Sequence, residues 1–390
     1  MKILWHSNSP EATSGYGVQT ALFVPRIANL GYEVAISADT RINLPPTTWQ
    51  PANYAYDYHF RVYPAGIYQL GADTLPWHYK DFGADLLITL ADMWQYDPAT
   101  VAGCNTAMWM PIDCDPLGNA DRGFMEATRA NVIAMSRHGQ KMLENAGKIA
   151  PFIPHGLDTR VFNSEIDREE ARAELGIAPG QLAVGIAAQN TQRKAIVQSL
   201  MGFARYCRDN PDRDPLLFLH TTAMRGSKST RDGNAPNLIP VVQRLGILGR
   251  VRWAAHYAVV TSRITGPEMA RWYAAMDVLL AASMGEGFGV PIIESLACGT
   301  PVIGTRCSTM PELIPPTVGR LVGGVPHWDD VHQAQWVTPD PLQIAAALKK
   351  VSTWGSSHRA AAAEWGAQFD ADQITRECWA PWLKNIEGEL

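Results

Sequence analysis

The sequence contains no long apolar run and no recognisable secretion signal. No stretch approaches the roughly 20 consecutive apolar residues that a membrane-spanning helix needs. The opening segment MKILWHSNSP has one lysine and only a three-residue apolar run, which is too short for the apolar part of a signal peptide. We therefore expect a cytoplasmic protein without a transmembrane segment.

Positive charge is scarce, with 33 lysines and arginines against 38 acidic residues and a formal net charge of −5. Binding to duplex nucleic acid depends on Lys and Arg side chains that neutralise phosphates, so this balance argues against a nucleic-acid partner. An anionic ligand would instead have to meet a local cluster of positive groups.

The cysteines do not occur in the sequence patterns typical of redox-active or metal-binding sites. The six cysteines form no C-x-x-C pair and no Cys/His spacing typical of a metal site. We therefore expect reduced thiols and predict no bound metal ion.

What the sequence does contain is a regular alternation of short apolar runs with longer amphipathic stretches, typical of βαβ units around a parallel sheet. The 390 residues exceed one ordinary core. Near residue 151 the segment PFIPHGLDTRVFN brings two prolines and a glycine, which indicates a connector. We predict an α/β protein of two Rossmann-like domains, residues 1–155 and 156–370, with a C-terminal helix at 371–390 that packs back on the first domain.

The predicted strands are the apolar runs of this pattern. They lie at 2–7, 33–38, 85–90, 106–111 and 131–136 in the first half, and at 182–188, 215–221, 250–255, 277–283 and 300–305 in the second. A helix is predicted over 19–31, ending on Gly31. Because open α/β sheets bind ligands at the carboxyl ends of their strands, a ligand is expected in the cleft between the domains.

The segment SGYGVQT (14–20) follows the first strand and leads into a helix. Its glycines allow a close backbone approach, and a helix start offers N–H groups to a phosphate. It also half-matches a dinucleotide fingerprint, with Asp39 lying 22 residues after Gly17 and Thr20 at the third glycine position. A plain glycine turn is the alternative.

Two cations, Arg193 and Lys194, come after the first strand of the second half, in QNTQRKAI (189–196). The planar guanidinium of Arg193 could donate two hydrogen bonds to a diphosphate, and the ammonium of Lys194 could contact it as a compact positive charge. Two adjacent cations on a solvated helix face are the alternative.

The segment GEGFGVPIIES (285–295) places Glu286 among glycines and Glu294 in the helix predicted to follow. An ionised carboxylate only accepts hydrogen bonds, so two of them suit the hydroxyls of a polyol. The alternative is that Glu286 tops a turn and Glu294 complements a helix N-terminus.

The run YAAMDVLLAASMGEGFGVPIIESLACGTPVIGTRCSTMPELI (273–314) resembles the signature of the retaining glycosyltransferases of family four, the glycosyl transferases of group one, which have the GT-B fold. The likeness includes two glutamates separated by seven residues, Gly-Phe-Gly after the first, and Ala-Cys-Gly-Thr-Pro at 297–301. It extends to IPHGLDTRVF (153–162), LGILGRVRW (245–253) and the glycines at 14–17. The resemblance implies two sheets that face each other across a cleft.

The resemblance also implies roles for individual residues. Glu286 would bind hydroxyls of the donor sugar, and Glu294 the ribose hydroxyls of its nucleotide. Arg193 and Lys194 would bind the diphosphate. The remaining donor-binding groups would be the backbone amides of Phe288, Gly289 and Val290 and a loop formed by Gly15, Tyr16 and Gly17.

The sequence departs from the family pattern at two places. Relatives often have a glycine-arginine pair after the first strand of the second domain and a glycine after the lysine, where this chain has AAQN (187–190) and Ala195. Many relatives also have a histidine near the reacting sugar. The segment PIDCDPLG stands there, so we assign that place to Asp113, with Asp115 second, and expect His155 to be structural.

The implied reaction moves a sugar, a hexose by this resemblance, from a nucleoside diphosphate to an acceptor hydroxyl with retained anomeric configuration. It needs neither an enzyme nucleophile nor a cofactor. The acceptor stays open between a saccharide, a small molecule, a protein and a lipid. The competing hypotheses are an NAD-dependent oxidoreductase that uses the segment 15–39, a nucleotide-sugar epimerase, and a non-catalytic sugar-nucleotide-binding protein.

Two further features have no assigned role. Tryptophans of the first half could stack on sugar rings, although packing in the core is the better expectation for most of them. The four that follow the first strand are Trp49, Trp77, Trp94 and Trp109. The basic segment MRGSKSTRDGN (224–234) could contact an anion or form a solvated loop.

Overall fold

The computed structural model describes residues 1–42, 47–51, 58–223, 235–261 and 263–390 and divides into two compact units. Unit 1 comprises Met1–Leu157, Asp330–Ala334 and Phe369–Leu390, and unit 2 comprises Asp158–Asp329 and Gln335–Gln368. The chain leaves unit 1 two residues after the predicted boundary at 155. The pattern did not indicate that residues 330–334 belong to unit 1.

Unit 1 is built on one sheet. Its strands are β1 (Lys2–Ser7), β2 (Glu33–Ile42), β3 (Thr47–Trp49), β4 (Phe60–Ala65), β5 (Leu86–Leu90), β6 (Thr106–Met110) and β7 (Asn131–Ala134). Within the described residues their order is β3-β4-β2-β1-β5-β6-β7, parallel except for β3 against β4. The five predicted strands are present. The edge strand β3 and its neighbour β4 were missed, because TTW and FRVYPA mix polar residues and proline into their sequence.

The first helices of unit 1 are α1 (Gly15–Asn29), α2 (Leu75–Phe82), α3 (Pro98–Val101), α4 (Asn119–Ala127) and α5 (Arg137–Asn145). Helix α1 begins where the Ser14 hydroxyl accepts a hydrogen bond from the Gly17 N–H at 3.1 Å. It ends just before Gly31, whose φ of 98° is left-handed, so this glycine terminates the helix as predicted.

Unit 2 has a second sheet. Its strands are β8 (Ala183–Ala187), β9 (Leu216–His220), β10 (Val251–Trp253), β11 (Val278–Ala281), β12 (Val302–Thr305) and β13 (Gly319–Val322). They are parallel in the order β10-β9-β8-β11-β12-β13, and β14 (Gly324–Asp329) pairs with β15 (Ala334–Pro339) in a separate sheet. The five predicted strands are present here too. The strands after β12 were missed because they contain no continuous apolar run.

The helices of unit 2 are α6 (Arg168–Glu174), α7 (Ile196–Asp209), α8 (Leu238–Arg244), α9 (His256–Val260), α10 (Gly266–Ala275), α11 (Val290–Ala297), α12 (Met310–Leu313), α13 (Pro341–Val351) and α14 (Ser356–Ala367). Helices α7 and α13 pack together beside the sheet, around a core that includes Leu200, Phe203 and Leu348. Strands with helices between them, in parallel order, confirm the prediction of Rossmann-like units.

The C-terminal segment of unit 1 is helical and buries a tryptophan. It consists of α15 (Ala371–Ile374), a π-helical turn (Thr375–Trp379) and α16 (Ala380–Glu387). The Trp379 ring lies 5.0 Å from that of Trp109, 5.8 Å from that of Trp5 and 5.9 Å from that of Phe23. These aromatic contacts connect the C-terminal helices to β1, α1 and β6.

Each sheet reverses its strand order at one place. In unit 1 the chain moves from β1 to β2 on one side and later adds β5 on the other. In unit 2 it moves from β8 to β9 and later adds β11 on the opposite side. Ligands of open α/β sheets bind at the carboxyl ends of strands where the order reverses. A binding site is therefore expected in the loops after β1, β5, β8 and β11.

Candidate functional site

Arg193 and Lys194 lie in the loop after β8, in a 3-10 turn (Gln192–Lys194) directly before α7. Ala195 joins this turn to the helix with φ 45°, in the left-handed region that favours glycine. The glycine that the family resemblance implies at this position would adopt this conformation without strain. The alanine adopts the same kind of turn at some conformational cost.

Glu286 lies in the loop after β11, and its side chain meets both cations. The Lys194 ammonium donates to the two carboxylate oxygens at 2.6 and 2.8 Å, and the Arg193 guanidinium contacts Oε2 at 3.4 Å. The Ser283 hydroxyl donates to Oε1 at 2.6 Å. The structure thus brings together three residues that the sequence predicted as parts of one site.

The backbone around Glu286 is held by hydroxyl groups from the segment after β12. The Glu286 N–H donates to the Ser308 hydroxyl at 2.8 Å. The buried Thr309 hydroxyl donates to the carbonyl oxygens of Glu286 and Gly287 at 2.8 and 3.0 Å. These bonds fix the loop, so the direction of the carboxylate is determined before any ligand arrives.

The charge state of Glu286 follows from two opposing effects. Burial of the carboxyl raises its pKa, since a low-dielectric environment disfavours the charged form. The charges of Lys194 and Arg193, with hydrogen bonds from Lys194 and Ser283, outweigh burial and lower the pKa of Glu286 to about 2. At neutral pH this side chain is therefore an ionised carboxylate and accepts hydrogen bonds only.

Helix α11 starts beside this loop. Gly289 precedes it with φ 106°, and a Cβ there would meet Ile292 Cδ1 at 2.9 Å, so glycine is required. The Phe288 ring is buried. Gly289 and Val290 open the helix, and their N–H groups are among those that an α-helix leaves without an intrahelical acceptor. That these amides face a donor stays a prediction.

Glu294 lies in the second turn of α11 and not at its N-terminus. The interpretation that it complements the positive end of the helix dipole is therefore wrong, since that effect falls off within the first turn. The Tyr273 hydroxyl donates to Glu294 Oε2 at 3.0 Å. Burial raises the pKa of Glu294 to about 7, and the bond from Tyr273 limits the rise.

Gly15, Tyr16 and Gly17 form the first turn of α1, where the sequence predicted a loop. The correction follows from Ser14, whose side chain caps the helix and starts it earlier than the apolar spacing indicated. The Tyr16 hydroxyl lies 3.5 Å from Asp92 Oδ2, near the carboxyl end of β5. The three residues therefore lie at the point of strand reversal in unit 1.

The two glycines of this turn differ in what a side chain would meet. We expect Gly17→Ala to lower the free energy of unfolding by about 2 kcal/mol, because its Cβ would lie 2.3 Å from the Ala12 carbonyl oxygen and 2.8 Å from that of Ser9. Gly15→Ala is the matched control, since nothing lies within 4 Å of its Cβ. Urea denaturation compares the two. Equal stability of the variants would contradict the close approach at Gly17.

Asp113 lies after β6 and belongs to a group of carboxylates in unit 1 that the sequence did not reveal. Burial first, and then the charges of Asp92 and Asp113, raise the pKa of Asp121 to about 7, against the opposing effects of His332 and the Trp94 N–H. Asp92 could have been found, because it follows the strand DLLITL by two residues. Asp121 lies on α4 and had no such signal.

Other predicted residues of unit 1 have structural surroundings. Asp115 is exposed and precedes a cis peptide bond to Pro116. The buried His155 ring packs against Trp109 at 4.6 Å, and burial lowers its pKa to about 3, in line with a structural role. Asp39 lies inside β2, not at its end, and burial raises its pKa to about 6.

The four tryptophans of the first half that follow the first strand lie in different environments. Trp109 is part of the core, and Trp94 packs against the ring of His332 at 5.2 Å. Trp49 packs against Phe60, and Trp77 is exposed. The basic segment 224–234 lies outside the described residues.

Within the described part of the chain, no group of three or more His, Cys, Asp or Glu side chains could hold a metal ion. No helix of that part is long and apolar enough to cross a membrane. The six cysteines, all among the described residues, form no disulfide bonds.

This chain has two Rossmann-like units with largely parallel sheets, which is the composition of the GT-B class of α/β proteins. Solved structures of that class are similar to it. Sucrose-phosphate synthase from Thermosynechococcus elongatus aligns over 100% of this chain and 98% of its own, with a TM-score of 0.74 and 17% identity. Anabaena Alr3699/HepE in complex with UDP-glucose aligns over 100% of both chains, with a TM-score of 0.68 and 16% identity. The prediction of a GT-B fold is confirmed.

The sequence relatives narrow this class. Residues 242–352 match the family model described as Glycosyl transferases group 1. A D-inositol 3-phosphate glycosyltransferase from Arthrobacter sp. (strain FB24) is 30% identical over 189 residues, which are 48% of this chain and 41% of the relative. The lipopolysaccharide core biosynthesis mannosyltransferase LpsB of Rhizobium meliloti (strain 1021) is 26% identical over 165 residues, 42% of each chain.

These matches confirm the resemblance to the glycosyl transferases of group one. The matched part of this chain spans less than half the length of either relative.

Proposed function

We propose that this protein is a retaining glycosyltransferase that moves a sugar, in our proposal a hexose, from a nucleoside diphosphate to an acceptor hydroxyl. One observation carries the proposal. The cations Arg193 and Lys194 meet the Glu286 carboxylate at the carboxyl ends of β8 and β11, where the strand order of unit 2 reverses.

The chemistry of this cluster suits a sugar diphosphate. The Lys194 ammonium has three N–H donors, and the Arg193 guanidinium has five, so both can contact phosphate oxygens as well as Glu286. Their positive charge, with the N–H groups at the start of α11, would stabilise negative charge that develops on the departing diphosphate. The ionised Glu286 would accept hydrogen bonds from hydroxyls of the sugar.

In the proposed mechanism no enzyme group forms a bond to the sugar. The departing phosphate takes the proton of the acceptor hydroxyl on the same face of an oxocarbenium-like centre, so the anomeric configuration is retained. The proposal requires no cofactor, because Arg193 and Lys194 supply the positive charge. Asp113 is the residue of unit 1 that we assign to the reacting sugar, and the first turn of α1, with Gly15, Tyr16 and Gly17, to the donor.

The donor and acceptor are proposed only as chemical classes. The HepE structure is a complex with UDP-glucose, which supports a nucleotide sugar as the donor here. Relatives are named for inositol 3-phosphate and for lipopolysaccharide core biosynthesis. The acceptor of this chain is accordingly proposed as a hydroxyl compound, which can be a saccharide, a small molecule, a protein or a lipid.

The test starts with a panel of UDP-, GDP- and ADP-sugars and NAD in thermal unfolding, since a bound ligand raises stability by mass action. We expect at least one nucleotide sugar to raise the melting temperature and NAD to have no effect. Incubation of that donor with mixed acceptors should then yield a glycoside whose anomeric configuration, read by NMR, matches the donor. Stabilisation by NAD alone would favour the oxidoreductase hypothesis.

Two further results would also reject the transferase. Conversion of the donor sugar into a stereoisomer without any acceptor would identify an epimerase. Tight binding without transfer to any acceptor and without hydrolysis would identify a non-catalytic binding protein.

Arg193→Ala is expected to weaken binding of the stabilising nucleotide sugar roughly thirtyfold, as for the loss of a charge-assisted bond worth about 2 kcal/mol. Isothermal calorimetry measures the change in Kd. Arg205→Ala is the matched control, because Arg205 is an exposed arginine of unit 2 that pairs with Asp209 on α7. An unchanged Kd in Arg193→Ala would remove Arg193 from the donor site.

A further inference from the structure

The Tyr273–Glu294 pair is the feature of unit 2 that the proposed mechanism leaves unexplained. Tyr273 lies on α10, and its hydroxyl donates to Glu294 Oε2 on α11 at 3.0 Å. The tyrosine is 1% exposed. Neither the sequence signature nor the proposed chemistry gives the tyrosine a function.

Tyr273 is held firmly in this position. Helix α10 begins with a capping box, in which the side chains of Thr265 and Glu268 each accept from the backbone N–H of the other. The Thr300 hydroxyl donates to the Tyr273 carbonyl oxygen at 2.8 Å. The ring packs against those of Trp272 and Phe162, at 5.3 and 6.4 Å. The direction of the phenolic O–H is therefore set by the surrounding fold.

Tyr273 is the main polar partner of Glu294 among the charged and titratable groups around it. Helix α14 contributes Arg359, whose guanidinium donates to the Met276 and Ala274 carbonyl oxygens at 2.9 and 3.0 Å. Cys298 follows α11, and burial raises the pKa of its thiol well above the ordinary range. Among the described residues, burial and the bond from Tyr273 are what shift the pKa of Glu294.

We propose that Tyr273 is a positioning residue of the nucleotide site, whose hydroxyl orients the Glu294 carboxylate toward the ribose hydroxyls and stabilises its charged form. This inference rests on the proposed function and on the role that the family resemblance implies for Glu294, which is to bind the ribose hydroxyls of the donor. One carboxylate oxygen accepts from Tyr273, and the remaining lone pairs can accept from two ribose hydroxyls. A protonated Glu294 would lose part of this acceptor capacity.

The protonation equilibria agree with this role. Burial raises the pKa of Tyr273 well above its ordinary value, so the phenol stays protonated and can donate at neutral pH. The hydrogen bond from Tyr273 lowers the pKa of Glu294 and so opposes the effect of burial, which raises this pKa to about 7. Removing the hydroxyl therefore raises the pKa of Glu294 further and lowers the ionised fraction near neutral pH.

The test is Tyr273→Phe, which removes one hydroxyl. Nucleotide binding is measured by calorimetry at several pH values between pH 6 and pH 9. UDP, GDP and ADP are titrated into the wild-type protein, and the tightest binder is used for the variants. We expect Tyr273→Phe to bind the nucleotide about tenfold more weakly than wild type at pH 7. Its affinity should recover in part at higher pH, and the midpoint of the pH dependence of Kd should move upward. Tyr206→Phe, which removes the hydroxyl of a buried tyrosine on α7, is the matched control and should leave the Kd and the pH midpoint unchanged.

Three comparisons separate a positioning role from a merely structural one. Inorganic pyrophosphate should bind Tyr273→Phe and wild type equally, because it has no ribose. The 2′-deoxy analogue of the nucleotide should show a smaller effect of the variant. In a Glu294→Gln background, Tyr273→Phe should no longer move the pH midpoint. If Tyr273→Phe does not fold, a fluorinated tyrosine at position 273, a stronger donor, should displace the midpoint downward.

An unchanged pH midpoint in Tyr273→Phe, or equal weakening of pyrophosphate and nucleotide, would overturn the positioning role while leaving the proposed function intact. Failure of the wild-type protein to bind any of the three nucleoside diphosphates would instead overturn the proposed function itself.

Discussion

Glu286→Gln is expected to reduce sugar transfer at least about a hundredfold, the loss typical when one preorganised polar contact to a transition state is removed. The neutral amide cannot hold Lys194 by charge, and it accepts through one oxygen only. Lys194 would then lie in a different position when the diphosphate departs. Product formation from the donor identified by thermal unfolding measures the effect.

The same substitution should also destabilise unit 2, by about 2–3 kcal/mol. Breaking a buried ion pair by removing one partner leaves the other charge uncompensated. The side chains of Lys194 and Glu286 are 17% and 12% exposed, so water can relieve part of this penalty. Urea denaturation measures the loss. Because the fold is weakened, activity is compared only where both proteins are fully folded.

The pH dependence of stability provides an independent test. The pKa of Glu286 is lowered from 4.5 to about 2, so its contribution to stability is present above pH 4.5 and is lost as the pH falls toward 2. In Glu286→Gln this part of the acid dependence should disappear. Glu174→Gln is the matched control, since Glu174 forms an exposed pair with Arg271 and such pairs contribute little. Equal effects of the two substitutions would contradict the special environment of Glu286.

Trp379→Ala is expected to produce the largest loss of stability, about 4 kcal/mol, because truncating a fully buried tryptophan leaves a large cavity. The ring is 0% exposed and contacts Trp5, Phe23 and Trp109. The lost contacts join the C-terminal helices to the sheet of unit 1. Guanidinium denaturation followed by far-UV circular dichroism measures the change, fitted with two transitions if the units unfold separately.

Trp382→Ala is the control for this prediction. Trp382 lies in the same helical segment, with its ring 5.7 Å from that of Trp379, but it is partly exposed. Its removal should cost about 1 kcal/mol, since less buried area is lost. Comparable losses in the two variants would show that the C-terminal helices are not held by the aromatic cluster.

The prediction of two Rossmann-like units succeeded for a local reason. Central strands of a parallel sheet are covered on both faces, so each must be a short continuous apolar run, such as ILW in β1 or VLLA in β11. Such runs are visible without knowledge of the fold. The edge strand β3 has only one neighbouring strand, and the mixed composition of β3 and of β4 beside it did not distinguish either from a loop.

The site was only partly predictable. The glycine-rich segment around Glu286 and the cation pair at 193–194 were found from residue type and from their places after strands. Helix starts were less accurate, because a capping residue such as Ser14 begins a helix before its apolar spacing does. Asp121 had no signal at all, since its raised pKa depends on carboxylates brought close by folding.

The sequence by itself determined the fold class, the position of both glutamates and the presence of a cation pair, because these depend on local composition and order. Only the tertiary structure decided that Lys194 pairs with Glu286, 92 positions away, and that Tyr273 donates to Glu294, 21 positions away. The physical reason is that such contacts depend on which strands are neighbours. Adjacency of β8 and β11 places their loops together, and no local pattern records that adjacency.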